Sequence, residues 1–141
     1  MTTPARRRPP PHLSLLALGL VFVGGAAGTA ARYLLTGLVP RWGGWPLATF
    51  AVNVSGAFVL GLLLEGLARR GSDRGGGHRL RLLLGTGFCG AFTTYSALAV
   101  DTDLLLRAGH VAQAAGYAFG TVAVGFGASA LGVWVGARVP R

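Results

Sequence analysis

Charged side chains along this chain are gathered into clusters, and the stretches between the clusters are almost free of them. Apolar, charge-poor runs cover residues 13–31 (extendable through Arg32 to residue 39), 46–64, 82–100 and 111–137. An apolar helix needs about 17–25 residues to cross about 30 Å of hydrocarbon. Every run meets that length, so the pattern predicts four membrane-spanning helices, over residues 13–39, 46–67, 82–106 and 111–137. They form one transmembrane domain, 13–137, with an Arg/Pro-rich tail at 1–12 and a short tail at 138–141. The loop at 68–81 contains Gly71-Ser72-Asp73-Arg74-Gly75-Gly76-Gly77 and reads as a flexible linker. Arg6, Arg7 and Arg8 ahead of the first run resemble the start of a secretory signal, but the run is too long for one and has no convincing cleavage site before Arg32.

Composition agrees: 141 residues allow one domain, and 52% hydrophobic against 12% charged residues places the chain in the membrane class. All thirteen cationic residues are Arg, for a net charge of +9, which by itself would suit nucleic acid or an anionic surface. Their placement decides between these. If the spans cross in turn, one side receives Arg6, Arg7, Arg8, Arg69, Arg70, Arg74, Arg79, Arg81, Arg138 and Arg141, and the other Arg41 and Arg107, with Arg32 inside the end of the first span. That bias predicts a multi-pass protein of the cell membrane with both termini cytoplasmic, and leaves no need for nucleic acid. The 24 glycines fit close helix packing in lipid, with GxxxG spacing at Gly24–Gly28 and Gly132–Gly136. A lone Cys89 packs, and His12, His78 and His110 form no metal spacing.

Gly85-Thr86-Gly87-Phe88-Cys89-Gly90 is a literal G-x-G-x-x-G, but the dinucleotide fingerprint needs a preceding strand and an acidic residue about 20 positions on, and this segment lies in a membrane span. The same glycines predict a third helix broken over residues 87–90, followed by Thr93-Thr94. Broken backbone at membrane depth frees carbonyls and amides to hold ions. Polar groups gather nearby in the sequence pattern: Asn53 in mid-span, then Thr93, Thr94 and Ser96, with Tyr117 and Thr121 four apart on one helix face. A hydroxyl can bond back to its own helix; the Asn53 amide cannot, so it faces another helix or water. Neutral donors without a deep carboxylate fit a pore that passes a small anion by hydrogen bonds. Asp101 and Asp103 read as a solvated outer helix end, and nothing suggests catalysis.

These residues resemble the CrcB/Fluc fluoride channels. The likeness is carried by Gly24-Gly25-Ala26-Ala27-Gly28-Thr29-Ala30-Ala31-Arg32-Tyr33, by Thr49-Phe50-Ala51-Val52-Asn53-Val54-Ser55-Gly56-Ala57-Phe58, by Gly87-Phe88-Cys89-Gly90-Ala91-Phe92-Thr93-Thr94-Tyr95-Ser96, and by the spaced Tyr117 and Thr121. The resemblance implies an all-α fold of four transmembrane helices, the third broken, paired antiparallel as a dual-topology dimer with two fluoride pores and a structural sodium ion at its centre. It implies sodium held by the backbone carbonyls of Gly90 and Thr93. It implies Asn53 as a donor to fluoride, Ser96, Tyr117 and Thr121 as a polar track, and Arg32 in the vestibule. The expected activity is passive export of fluoride from the cytoplasm.

Two features depart from the family pattern. Where a pair of phenylalanines three residues apart is expected, this chain has Tyr95, which keeps an aromatic edge on the fluoride path, and Leu98, which has none. The arginine bias should also fix one orientation, whereas a dual-topology homodimer needs both. The expectation is therefore one half of an antiparallel heterodimer whose sibling has the opposite bias, with a homodimer left open. Two other readings stand beside it: a non-conducting partner or assembly subunit of the same fold, and a small four-helix drug/proton antiporter. The antiporter would need a carboxylate in the first span, which has none; Glu65 lies at the end of the second.

Overall fold

A computed structural model describes residues 14–39, 44–71 and 75–139. The tail carrying Arg6, Arg7, Arg8 and His12, together with Arg41, Asp73, Arg74 and Arg141, lies outside the described residues. The described chain runs α1 (Leu15–Leu38), α2 (Leu47–Ala68), α3 (Gly76–Leu80), a π-helical segment (Arg81–Cys89), α4 (Gly90–Phe92), α5 (Tyr95–Arg107) and α6 (Val111–Arg138). Four of these runs are long and apolar enough to cross a membrane: α1, α2, the composite Gly76–Arg107, and α6. At most 17% of the most apolar stretch of any span is buried. Large apolar side chains such as Phe22, Phe119 and Phe126 point outward at 76–78% exposure, so lipid or another chain has to cover them.

Two helix pairs dominate the packing, α1 against the π-helical segment and α2 against α6. Glycine makes both possible. A Cβ on Gly87 would lie 2.8 Å from the Val21 carbonyl oxygen and 3.0 Å from the Gly24 Cα, and Gly24 and Gly28 face the Leu83 and Phe88 carbonyls across the same seam. On the other side Gly61 abuts the Ser129 carbonyl, Gly132 would bring a Cβ to 2.9 Å from the Leu62 amide nitrogen, and Gly136 rests on Glu65. Both GxxxG pairs therefore sit at close contacts, where a larger residue would have to push the seam apart.

The third span departs from the expected pattern in two ways. It begins at Gly76, inside the stretch read as a linker, after Gly75 takes a positive φ of 63°. Its break falls on Thr93–Thr94, whose φ/ψ values of −74°/157° and −150°/117° are both extended, and not over residues 87–90. The glycines at 85, 87 and 90 stay helical: Gly87 spends its bareness on approach to α1, and Gly85 and Gly87 lie in the wider π-turn. The threonines can break the helix because their hydroxyls replace what it loses. The Thr93 hydroxyl donates to the Cys89 carbonyl at 2.8 Å, and Thr94 Oγ1 accepts from the Ala97 amide at 3.2 Å as N-cap of α5.

The turn into α6 is a Schellman motif. Gly109 has φ 79°, its amide donates to the Leu106 carbonyl, and the His110 amide donates to that of Leu105, both at 2.9 Å. That tight reversal holds α6 beside α5, where Leu98, Leu105, Ala114 and Tyr117 form the buried cluster, with Phe50 against it.

Candidate functional site: a polar cavity at the break of the third span

Asn53 lies about a third of the way along α2, opposite the break. Its Nδ2 donates to the Thr94 carbonyl at 3.0 Å and its Oδ1 accepts from the Thr94 amide at 2.8 Å, so one side chain clasps both backbone groups of an extended residue. Gly56, three residues on, faces the Thr93 methyl, and a Cβ there would lie 3.1 Å from Phe92 Cδ1; only a bare backbone lets the break approach α2 so closely. One Asn53 N–H remains beyond the bond to Thr94, since an amide carries two.

Beside this clasp opens a cavity of about 510 Å³ whose lining includes Arg32, Thr36, Thr49, Thr94, Ser96 and Asp101. The Thr94 and Ser96 hydroxyls lie 3.1 Å apart, and Ser96 is exposed. Arg32 is half-buried on α1 and brings a fixed positive charge to this space. The break, the clasped Thr94, Ser96 and Arg32 are thus gathered in one place.

Asp101 is not a solvated helix end. It is half-buried, with Oδ2 accepting from the Thr49 hydroxyl at 2.6 Å and from the Tyr117 hydroxyl at 3.3 Å, and so ties α2, α5 and α6 together. Reading the sequence missed Thr49 and Asp101 as members of the site. The signal for Thr49 was present, four residues before Asn53 and hence on its helix face; nothing local marks Asp101, because α6 supplies its second donor. Asp103 by contrast is exposed and pairs with Arg107 at 2.7 Å along α5.

The remaining candidates lie apart from the cavity. Tyr117 is buried with its hydroxyl on Asp101, and Thr121 donates at 2.7 Å to the Tyr117 carbonyl of its own helix. Both line a second, smaller cavity of about 230 Å³ with Trp45 and Phe50. Tyr95 points away from the subunit at 83% exposure, while Leu98 is buried in the α5–α6 cluster. Phe88 and Phe92 stack with ring centroids 5.6 Å apart. Gly90 is exposed and Thr93 half-buried, on either side of the last turn before the break. Among the described residues no group of three or more His, Cys, Asp or Glu could hold a metal ion.

Residues 19–133 match the family described as CrcB-like protein, Camphor Resistance (CrcB). The chain is 51% identical over 130 residues to fluoride-specific ion channel FluC 2 of Leifsonia xyli subsp. xyli, covering 92% of this chain and 90% of that one. It is 46% identical over 125 residues to fluoride-specific ion channel FluC of Phenylobacterium zucineum, covering 87% and 97%. Against FluC of Paracoccus denitrificans it is 44% identical over 117 residues, covering 82% and 90%. These relatives are ion channels rather than enzymes. With a broken third span, an asparagine clasping the break and a match along most of its length, this chain is a member of the CrcB family of membrane proteins.

Proposed function

We propose that this chain forms a passive, fluoride-selective channel that lets fluoride leave the cytoplasm. The observation that carries the reading is the cavity at the break, where an arginine, two hydroxyls and an asparagine-clasped backbone converge between membrane spans. Fluoride is small and strongly hydrated, and each water it sheds has to be replaced by a donor. Arg32 attracts the anion into the vestibule; the free Asn53 N–H and the Ser96 hydroxyl take over hydration further in. Tyr117 and Thr121 form the next stretch of the track, turning their protons from Asp101 and the helix carbonyl toward the passing ion. Tyr95, at the surface of the subunit, offers its ring edge or hydroxyl to a path shared with a second chain.

We also propose a structural sodium ion beside this path. Sodium, when bound, supplies a fixed positive charge, and the residues suit it: Gly90 opens the last turn before the break, Thr93 is the first extended residue, and a hard cation takes oxygen ligands such as their carbonyls. The small residues Gly25, Ala26, Thr29 and Ala30 on α1, beside Ala91, offer a second four-helix subunit a close approach to that segment. We take the partner to be a sibling chain inserted the other way, because Arg69, Arg70, Arg79, Arg81 and Arg138 all fall at one end of the bundle. Leu98 lacks an aromatic edge and is turned into the core, so a sibling would have to complete the contact. The same feature favours, as a second reading, a non-conducting partner of the same fold; an Asn53 substitution without effect on flux through the assembled complex would decide for it.

The test is fluoride efflux from liposomes, with the chain alone and co-reconstituted with a family member of opposite arginine bias. The expected result is fluoride release with chloride retained, in the mixed vesicles. Equally fast release by the lone chain overturns the heterodimer, and no release from either preparation overturns the channel.

A further inference from the structure

In a continuous α-helix each amide donates to the carbonyl four residues back. Across the break in the third span, the Thr94 amide would close on the Gly90 carbonyl and the Ala97 amide on that of Thr93. Both amides are instead taken by side chains: Thr94 N–H by Asn53 Oδ1 at 2.8 Å, Ala97 N–H by Thr94 Oγ1 at 3.2 Å. The last regular bond before the break runs from the Thr93 amide to the Cys89 carbonyl at 3.0 Å, and the Thr93 hydroxyl lands on that same oxygen. Helical bonding therefore stops one residue short of Gly90 and is prevented from resuming across it.

From these bonds we infer that Asn53 and the Thr94 hydroxyl are positioning residues for a cation seat, each diverting the amide that would otherwise occupy one carbonyl, Asn53 for Gly90 and Thr94 for Thr93. The inference rests on the sodium reading proposed above and adds to it the residues that build the site. An N–H aimed at a carbonyl oxygen puts partial positive charge where the cation would sit; removing it turns the oxygen from a helix acceptor into a ligand. The second arm of the clasp, Asn53 Nδ2 to the Thr94 carbonyl, keeps that residue extended so that the Thr94 amide cannot swing back. Gly56 completes the arrangement, because a methyl there would push Thr93 and Phe92 away from α2 and pull the clasp apart. Asn53 also holds the remaining donor of the anion path, so the two ion sites share one side chain, and by linkage each ion's affinity depends on the other.

The test is binding of radioactive sodium to the full chain in lipid nanodiscs, with its partner where one is needed for assembly. Outer-sphere groups of metal sites typically contribute about 10–100-fold in affinity, and that loss is expected for Asn53→Leu and for Thr94→Val. Thr94→Ser keeps the acceptor for the Ala97 amide and should bind sodium at least about as well as the parent. Gly136→Ala, remote at the α2–α6 seam, should lower thermal stability and leave sodium affinity unchanged, which separates positioning from general loosening. Should Asn53→Leu fail to fold, the Thr94 pair carries the test. Sodium bound equally by the parent, Thr94→Val and Thr94→Ser chains overturns the inference while sparing the sodium site. No sodium bound by the parent chain overturns both.

Discussion

Asp101 accepts hydrogen bonds from two other helices. A carboxylate near a helix end ordinarily meets water, yet this one receives hydroxyl protons from Thr49 and Tyr117 and joins three helices. Asp101→Ala should leave both hydroxyls without their partner at about 1–3 kcal/mol for each buried group, visible as a lowered unfolding midpoint in detergent. Asp101→Asn keeps an acceptor and should lose distinctly less; equal losses would mean that the charge, and not the hydrogen bonding, holds the cluster. Asn53 was legible beforehand because a mid-span amide has to find a partner outside its own helix. Its particular partner, the Thr94 backbone, was not, since that depends on where the third span unwinds. Thr121 took the bland course open to any hydroxyl and bonds to its own helix.

Among the elements, four spans were readable from charge-free length alone, because lipid allows few other solutions for runs of that size. The site of the break was misjudged for a definable reason. Glycine permits both helix rupture and backbone contact, and which use prevails is settled by the neighbouring helix: Gly24, Gly28 and Gly87 meet carbonyls or backbone across the α1 seam. Gly87→Ala would press a methyl onto Val21 and Gly24 and should lower stability by about 1–3 kcal/mol, the usual cost of overpacking. Gly120→Ala, with nothing within 4 Å of its Cβ, should be neutral or slightly stabilising through helix propensity. Thermal unfolding of the two variants side by side checks the seam; a neutral Gly87→Ala would mean that α1 and the third span do not touch as closely as they do here.

For the whole molecule, apolar faces lie open for lipid or another chain to cover, and a strip of small residues lies beside the break. Arg69 gathers the end of the bundle by donating to the carbonyls of Gly136, Ala137 and Val139, and Arg138 lies 3.2 Å over the Trp134 ring. The second-to-third-span loop and the end of α6 therefore share one side, as alternate crossing requires. With that end so rich in arginine, reporter fusions to the C-terminus should register the cytoplasmic side in nearly all molecules, and an even split would remove the reason to expect a sibling chain. Ion selectivity is the central claim, and it is tested most directly by efflux from liposomes holding this chain with an oppositely biased family member, followed with fluoride and chloride electrodes in parallel. Rapid fluoride release with chloride retained, abolished by Asn53→Leu, is the predicted result; release of both ions together, or of neither, would contradict it.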